Sequence, residues 1–485
     1  MTRFVLALLL ITVLGPALAG GREPPMLLIE GTSIDSGVHQ RFRLLASPNG
    51  QFRWDVDGPL GRTTSFDGQR LWESEKGSAA AVLPLFLEEV ARIQTYFLTG
   101  LWSLDSGPFE RVDGAGRRLK LRDGLLTSLV EVDEESGRPV TLTIEEAAMG
   151  FSIRFDSYRE EAGGGVPSRM TTTDAGDLRT VIVERVSEVS SEGIEFGRPS
   201  TASENVRFDD QHDGVVEVKR ASSGHLFVRP VIDDVDVGWF LFDTGAGISV
   251  ITRDVADRVG MESIGETTVL GVGGHGGAAA LRTGGAFELG PIRIDGLVFT
   301  ERPDMKMGTR ILGETVVGAI GWDVLLRSVV RIDPWEPAIR ILAPDDVDVD
   351  DAAWRPVVLH YRVPYVHARF EGDREGLFCI DTGAGGLGAL FHSEAVERLA
   401  LLDGRETLAR SMEGAGGEFT TRSGLIDWFE VAGHRTADVP ALFNVGEDGE
   451  ADPYSLGFVG AAVLEPFELV FDYAGGRVGF VPRTP

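Results

Sequence analysis

The sequence reads FLFDTGAG at residues 240–247 and FCIDTGAG at residues 378–385. In each copy a run of apolar residues, typical of a buried strand, leads directly into an aspartate. Burying an aspartate charge costs free energy unless the charge is paired or takes part in chemistry. The same arrangement occurs twice here. The Gly after each Asp-Thr pair permits a tight turn. The two stretches therefore predict two matching turns that carry one carboxyl each, at Asp243 and Asp381.

The resemblance between the two copies extends well beyond these turns. Asp381 lies 138 positions after Asp243 (381 minus 243), and Gly457 lies 139 positions after its counterpart Gly318 (457 minus 318). Asp472, at the end of an apolar run, likewise lies 139 positions after Asp333 (472 minus 333). Three landmarks thus keep register to within one residue, and repeats of this kind define the architecture.

We therefore interpret residues 215–343 as a first repeat and residues 354–485 as a second repeat. Both consist mainly of short apolar runs separated by Gly and Pro, which is typical of a β fold. Helical spacing of apolar residues predicts one short helix after each turn, at 252–259 and at 393–399.

Two such turns related by a two-fold axis would place two carboxyls side by side. Like charges at about 3 Å cannot both ionise, so the pair would share one proton. The ionised member could then act as a general base on a bridging water. The protonated member could polarise a peptide carbonyl and later assist the leaving amine.

At this point the sequence resembles a known family. Asp243-Thr244-Gly245-Ala246 and Asp381-Thr382-Gly383-Ala384 are similar to the active-site turns of the retropepsin and pepsin clan of aspartic proteases. The expected form is a bacterial member with both turns in one chain. The segments Ala319-Ile320-Gly321 and Phe458-Val459-Gly460 resemble the hydrophobic-hydrophobic-Gly element that packs behind the catalytic loop in that clan.

The resemblance implies a mainly β protein, in which two pseudo-symmetric retropepsin-like β-barrel lobes form a pepsin-like bilobal peptidase after an N-terminal α+β domain. It implies that Asp243 and Asp381 form the catalytic dyad. It also implies that Thr244, Gly245, Thr382 and Gly383 form the supporting loops, with the two Thr residues cross-linking them. The substrate would be an extended polypeptide. Since one chain carries both turns, a monomer would suffice.

Glycine-rich stretches between the turns and the hydrophobic-hydrophobic-Gly elements correspond to the flaps of that family. Their glycines are Gly271, Gly273, Gly274, Gly414, Gly416 and Gly417. Neither stretch contains the Tyr typical of pepsins. The second turn is also richer in glycine than the first, since it continues as Gly385-Gly386-Leu387-Gly388.

The N-terminal block, residues 26–197, combines alternating strand patterns at 52–56 and 151–155 with a helical apolar pattern over 81–98. It loosely resembles periplasmic lipoprotein-carrier domains, which implies a lipid or a lipoprotein as a partner. An inhibitory pro-segment and a docking module are the alternatives. Residues 198–214 and the acidic stretch 344–353 are predicted linkers.

Export is expected from the first nineteen residues. Arg3, an apolar run and a small-x-small site at 17–19 are typical of a cleaved signal peptide over residues 1–19. The expected location is therefore periplasmic or secreted. A formal net charge of −29 argues against nucleic acid as a partner.

The remaining residues carry little chemistry of other kinds. Cys379 is the single cysteine and lies within an apolar run, so we interpret it as a buried small hydrophobe. The His residues show no paired metal-ligand spacing, and we expect no metal and no cofactor.

Three alternatives compete with an active aspartic endopeptidase. The fold could persist as a catalytically idle, peptide-binding protein. The N-terminal domain could make the chain an envelope lipid- or lipoprotein-handling protein. Residues 383–388 also read as G-x-G-x-x-G after an apolar strand, the pattern of dinucleotide-binding turns. The first repeat lacks the third glycine of that pattern, which opposes the nucleotide interpretation.

Overall fold

The computed structural model of the protein describes residues 25–100, 108–112, 118–145, 150–159, 165–174, 177–200, 205–271, 274–333, 338–346, 349, 352–414, 416–446 and 454–483. The predicted signal peptide, residues 1–19, lies outside the described residues. The fold is mainly β, as predicted: five sheets account for most of the described chain, with six short or medium helices.

The N-terminal block forms one antiparallel sheet, which in the described residues has 13 strands in the order β6-β5-β4-β3-β2-β1-β13-β12-β11-β10-β9-β8-β7. Side chains of β2 alternate between buried and exposed positions, the pattern of a sheet with one packed face. The elements are β1 (Met26–Asp35), β2 (Val38–Ala46), β3 (Phe52–Asp57), β4 (Arg62–Phe66), β5 (Leu71–Glu75), β6 (Ala81–Val82), α1 (Leu85–Leu98), β7 (Phe109–Arg111), β8 (Arg118–Leu121), β9 (Thr127–Val132), β10 (Pro139–Ile144), β11 (Phe151–Tyr158), β12 (Pro167–Asp174) and β13 (Asp177–Val189).

Helix α1 packs on this sheet through its apolar face. Val90, Ile93 and Phe97 are buried in a core that they share with strand residues. The predicted start of this helix at Ala81 is wrong, because Ala81 and Val82 pair with β5 and the helix begins only after Pro84. Proline disfavours helical backbone in the residue before it, which explains the later start.

The first repeat contributes strands to three sheets. Its elements are β14 (Val206–Phe208), β15 (Val215–Val216), β16 (Val218–Arg220), β17 (Leu226–Val228), β18 (Val231–Ile232), β19 (Val235–Asp236), β20 (Trp239–Phe242), β21 (Val250–Thr252), α2 (Arg253–Arg258), β22 (Glu262–Gly271), β23 (Gly274–Thr283), β24 (Ala286–Leu289), β25 (Ile292–Asp295), β26 (Val298–Arg302), α3 (Lys306–Leu312), β27 (Val316–Ile320), α4 (Trp322–Leu325), β28 (Val329–Asp333) and β29 (Ala338–Leu342). Strand β14 pairs with β25, so the segment predicted as a linker contributes a strand to the first repeat.

The second repeat has a similar sequence of elements. They are β30 (Ala353–Pro356), β31 (Val358–His360), β32 (Val363–Phe370), β33 (Arg374–Ile380), β34 (Ala389–Phe391), α5 (Ser393–Arg398), β35 (Leu408–Gly414), β36 (Gly417–Val431), β37 (His434–Asn444), β38 (Gly457–Val459), α6 (Ala461–Leu464), β39 (Phe467–Asp472) and β40 (Arg477–Pro482). Helices α2 and α5 confirm the two short helices predicted after the turns. Strand β34, rather than a helix, directly follows the glycines at 383–388, which excludes the dinucleotide-binding turn.

The main sheets of the repeats have matching orders. Over the described residues they run β16-β17-β20-β27-β21-β26-β23-β22 and β31-β32-β33-β38-β34-β37-β36-β35. A third sheet joins the repeats, since β28 pairs antiparallel with β39 and Arg331 lies opposite Val470. These two strands are counterparts in the repeat register, so they meet as a two-fold axis requires. One hydrophobic core runs through both repeats.

The core between α1 and its sheet offers a test of the N-terminal packing. Phe97 is 1% exposed and its ring lies 5.5 Å from that of Phe109. We expect Phe97→Ala to lower the free energy of unfolding by about 3–5 kcal/mol because it leaves a cavity. Leu125→Ala is the control, since Leu125 is 75% exposed. Calorimetry of both variants should show a lower unfolding midpoint for Phe97→Ala alone, and equal midpoints would contradict the packing.

Candidate active site

Each of the two turns begins where a central strand ends. The strand before Asp243, β20, pairs parallel with β27, and the strand before Asp381, β33, pairs parallel with β38. Asp243 donates its backbone N–H to the carbonyl of Ile320 at 2.9 Å, and Asp381 donates to Val459 at 3.0 Å. The hydrophobic-hydrophobic-Gly segments therefore lie directly beside the turns and fix the backbone of both aspartates.

The two turns are cross-linked by reciprocal hydrogen bonds. The Thr244 hydroxyl donates to the carbonyl of Ile380 at 2.7 Å and accepts the backbone N–H of Thr382 at 3.1 Å. The Thr382 hydroxyl donates to the carbonyl of Phe242 at 2.9 Å and accepts the backbone N–H of Thr244 at 3.0 Å. Each hydroxyl thus donates one hydrogen bond and accepts another across the interface of the repeats, so the turns are held in one relative position.

This cross-link brings the two carboxyls together. Each carboxyl lies against the glycine of the opposite turn: a β-carbon at Gly383 would lie 2.5 Å from Asp243 Oδ1, and one at Gly245 would lie 2.8 Å from Asp381 Oδ1. Only glycine fits at such an approach. The two carboxyls are close enough to influence each other's ionisation. Gly245 and Gly383 also donate their N–H groups to the aspartates of their own turns, at 2.9 and 2.7 Å.

The surroundings favour the retention of a proton by the pair. Burial raises the pKa of Asp381 well above its ordinary value of 3.8, and the nearby Asp243 charge raises it further. Burial also raises the pKa of Asp243, against the opposing effect of its interaction with Asp381. Because the two groups are coupled, these pKa values belong to the pair and not to either residue alone. The pair therefore keeps one proton at pH values above the usual pKa range of an aspartate.

The glycine-rich stretches lie at the tips of two long hairpins. Gly271 pairs with Gly274 at the end of β22 and β23, and Gly414 pairs with Gly417 at the end of β35 and β36, with Gly416 in the turn. Gly273 lies outside the described residues. Strand β23 packs against β36, so the two hairpins meet.

His225 is a residue of this site that the sequence analysis missed. It is buried beside the second turn, where its Nε2 accepts the backbone N–H of Gly385 at 3.2 Å. Its Nδ1 lies 2.7 Å from the Ser223 hydroxyl, and burial lowers its pKa. A neutral ring that accepts at Nε2 carries its proton on Nδ1 and donates it to Ser223. Gly385 carries no signal for this contact, because Gly247 occupies the same position in the first turn, although a β-carbon at 385 would meet the ring.

Support for the first turn also comes from the N-terminal block. Trp322 donates its backbone N–H to the carbonyl of Ala246 in the turn at 2.9 Å, and its indole N–H to Glu75 at 3.0 Å. Glu75 is also paired with Arg327 and with Arg362, at 3.3 and 3.1 Å. Burial alone would raise the pKa of Glu75, but the two arginines lower it overall. The N-terminal block is thus docked against both repeats through a buried ion-pair network.

Other chemistries have little basis in the described residues. They contain no group of three potential metal ligands and no helix that is both long and apolar enough to cross a membrane. Cys379 is fully buried in an apolar cluster with Tyr365 and Leu390, which confirms its interpretation as a core residue.

A comparison with protein families agrees with the resemblance of the two turns. An aspartyl protease family model matches residues 228–324 and 366–458, one segment in each repeat, and each segment contains one of the turns. Among solved structures, the chain is similar to the crystal structure of Basic 7S globulin from soybean, at 14% identity and a TM-score of 0.35, over 58% of this chain and 95% of that chain. No curated protein matches the chain. The two repeats are therefore similar to aspartyl protease domains.

The raised pKa of Asp381 predicts a pH-dependent effect of its replacement. Between pH 3.8 and the higher pKa of the folded state, the unfolded chain loses the proton and the folded chain keeps it, so the wild type loses stability as pH rises. The loss is up to about 1.4 kcal/mol per pH unit for one proton. The amide side chain introduced by Asp381→Asn cannot titrate. The unfolding midpoint of this variant minus that of the wild type should therefore increase from pH 3 to pH 7.

The control for this experiment is Asp403→Asn, since Asp403 is exposed on the same repeat. Its midpoint should keep a constant difference from the wild type over the same range. If Asp381→Asn also keeps a constant difference, folding does not raise the pKa of this carboxyl.

Proposed function

We propose that this chain is an exported aspartic endopeptidase, in which Asp243 and Asp381 activate a water molecule for hydrolysis of a peptide bond. The observation that carries the proposal is the pair of half-buried carboxyls, each against the glycine of the opposite turn, at the centre of two cross-linked turns. The match of both repeats to an aspartyl protease family model supports the same class of activity.

The proposed mechanism uses the single proton of the pair. The ionised carboxylate takes a proton from the water, whose oxygen forms a bond to the peptide carbonyl carbon. The protonated carboxyl gives its proton to the carbonyl oxygen, so that a neutral tetrahedral intermediate forms. When the C–N bond breaks, the nitrogen receives the proton that the first carboxylate had taken. The second carboxyl recovers its proton from a hydroxyl of the intermediate, which leaves a carboxylic acid, an amine and the original pair.

The proposed substrate is an extended polypeptide that lies between the repeats beneath the two hairpins. Gly271, Gly274, Gly414, Gly416 and Gly417 give these hairpin tips little side-chain bulk, so a peptide backbone could approach them closely. Both halves of the dyad come from one chain, so we propose a monomeric enzyme.

We also propose export, on the basis of the sequence of residues 1–19. The test is the N-terminal sequence of the protein recovered from the periplasm or the medium of the expressing cells. A mature chain that starts near residue 20 is expected, and a chain that keeps residues 1–19 inside the cell would contradict export.

The proposed activity predicts that either aspartate is indispensable. Asp243→Asn and Asp381→Asn should each lower kcat/KM on a random peptide library by at least about 100-fold, because general acid–base catalysis by the pair is lost. Wild-type kcat/KM should follow a bell-shaped pH profile that belongs to the pair. The matched control is Asp403→Asn, which should cleave like the wild type.

Two outcomes would contradict the proposal. If both dyad variants cleave like the wild type, the chemistry lies elsewhere. If the wild type binds peptides from the library and cleaves none, the chain is an idle peptide-binding protein.

A further inference from the structure

The first hairpin, formed by β22 and β23, lies at the edge of its sheet, and another part of the chain covers this edge. Strand β22 is the last strand of its sheet, so half of its backbone N–H groups point away from β23. Such groups at a sheet edge require partners if they are not to bind water or another strand. For Glu266 and Thr268, two alternate residues that face the same side, those partners come from the N-terminal block.

Three hydrogen bonds connect β22 to the N-terminal sheet. Glu266 donates its N–H to the carbonyl of Ser36 at 2.9 Å. Thr268 donates its N–H to Asp177 Oδ1 at 2.9 Å, and the Thr267 hydroxyl donates to Asp177 Oδ2 at 3.1 Å. Both oxygens of the Asp177 carboxylate therefore accept hydrogen bonds from the hairpin. Hydrogen bonds to a charged acceptor are stronger than those to a neutral one.

The shape of β22 is adapted to this contact. The pairing of β22 with β23 shifts register between Ser263 and Gly265, which is the signature of a β-bulge. A β-carbon at Gly265 would lie 2.1 Å from the carbonyl oxygen of Ser36. A larger residue at this position would push the hairpin away from the N-terminal sheet.

The side that holds the hairpin is itself firmly fixed. Ser36 lies in the tight turn between β1 and β2, next to Asp35. The Asp35 carboxylate is paired with Arg62 and Arg179, each at 3.2 Å. Burial alone would raise the pKa of Asp35, but the neighbouring arginines hold it far below its usual range. Together with the buried Glu75 network, these ion pairs make the N-terminal sheet a rigid support.

We propose that the N-terminal domain fixes the first hairpin over the proposed peptide site between the repeats and that Asp177 is the positioning residue for this hairpin. The proposal rests on the proposed peptidase function in one respect: the hairpin then sets the affinity for an extended peptide. It favours a domain that is retained in the working protein over an inhibitory segment that must be removed.

The experiment measures amide hydrogen exchange along β22 in the full chain, with and without Asp177→Ala. We expect exchange at Thr268 to accelerate about tenfold or more, because its N–H loses its hydrogen-bond acceptor. Asp177→Asn keeps one carbonyl oxygen for the Thr268 N–H and should restore most of the protection. Gly265→Ala should accelerate exchange in the same way by a separate route.

The matched control is Asp133→Ala. Asp133 accepts the N–H and the hydroxyl of Ser136 at 2.8 and 2.7 Å in the turn between β9 and β10 of the same domain. Its loss removes similar bonds without touching the hairpin, so exchange along β22 should stay at the wild-type rate. Unchanged exchange along β22 in both Asp177→Ala and Gly265→Ala would overturn the proposal.

Peptide hydrolysis adds a second, independent measurement. Asp177→Ala should raise KM several-fold with kcat within about twofold of the wild type, the pattern of a lost binding contribution that is equal in the ground and transition states. An unchanged KM would overturn the link between the hairpin and substrate affinity. If the wild type cleaves nothing, the proposed function fails, while the exchange result still decides whether Asp177 holds the hairpin.

Discussion

The reciprocal hydrogen bonds between Thr244 and Thr382 are the interaction on which the rest of this site depends. They join two turns that lie 138 residues apart in the chain, and they do so through the backbone of both strands that lead into the aspartates. Once the turns are fixed in this way, each carboxyl must lie against the glycine of the opposite turn. The raised pKa of the pair follows from that enforced proximity and from burial.

Two half-buried carboxyls that share a site destabilise a fold, so the surrounding structure must compensate. Part of the compensation is local, because Ile320 and Val459 hold the aspartate backbones from the neighbouring strands. Another part comes from a distant segment of the chain. Glu75 reaches from the N-terminal sheet to Trp322, which in turn holds the carbonyl of Ala246 in the first turn. The N-terminal domain therefore contacts both the support of the first turn and, through Asp177, the first hairpin.

The sequence predicted those features that repeat or that follow from local pattern. The common register of Asp243 and Asp381 predicted the two copies, and apolar spacing predicted helices α2 and α5. The sequence could not predict contacts between segments that share no pattern, such as those of Asp177 with Thr268 and of His225 with Gly385. The residues around one partner of such a contact do not indicate which residue the other partner is. The start of α1 was misjudged for a different reason: Ala81 and Val82 fit the helical spacing, but pairing with β5 prevails.

Neutron diffraction from crystals of the deuterated protein, at a pH between the two ionisations of the pair, would locate the shared proton directly. We expect one deuterium between the carboxyls of Asp243 and Asp381, with the deuterium of each Thr hydroxyl directed at the carbonyl of Ile380 or Phe242 in the opposite repeat. Two separated, fully ionised carboxylates with water between them would contradict it.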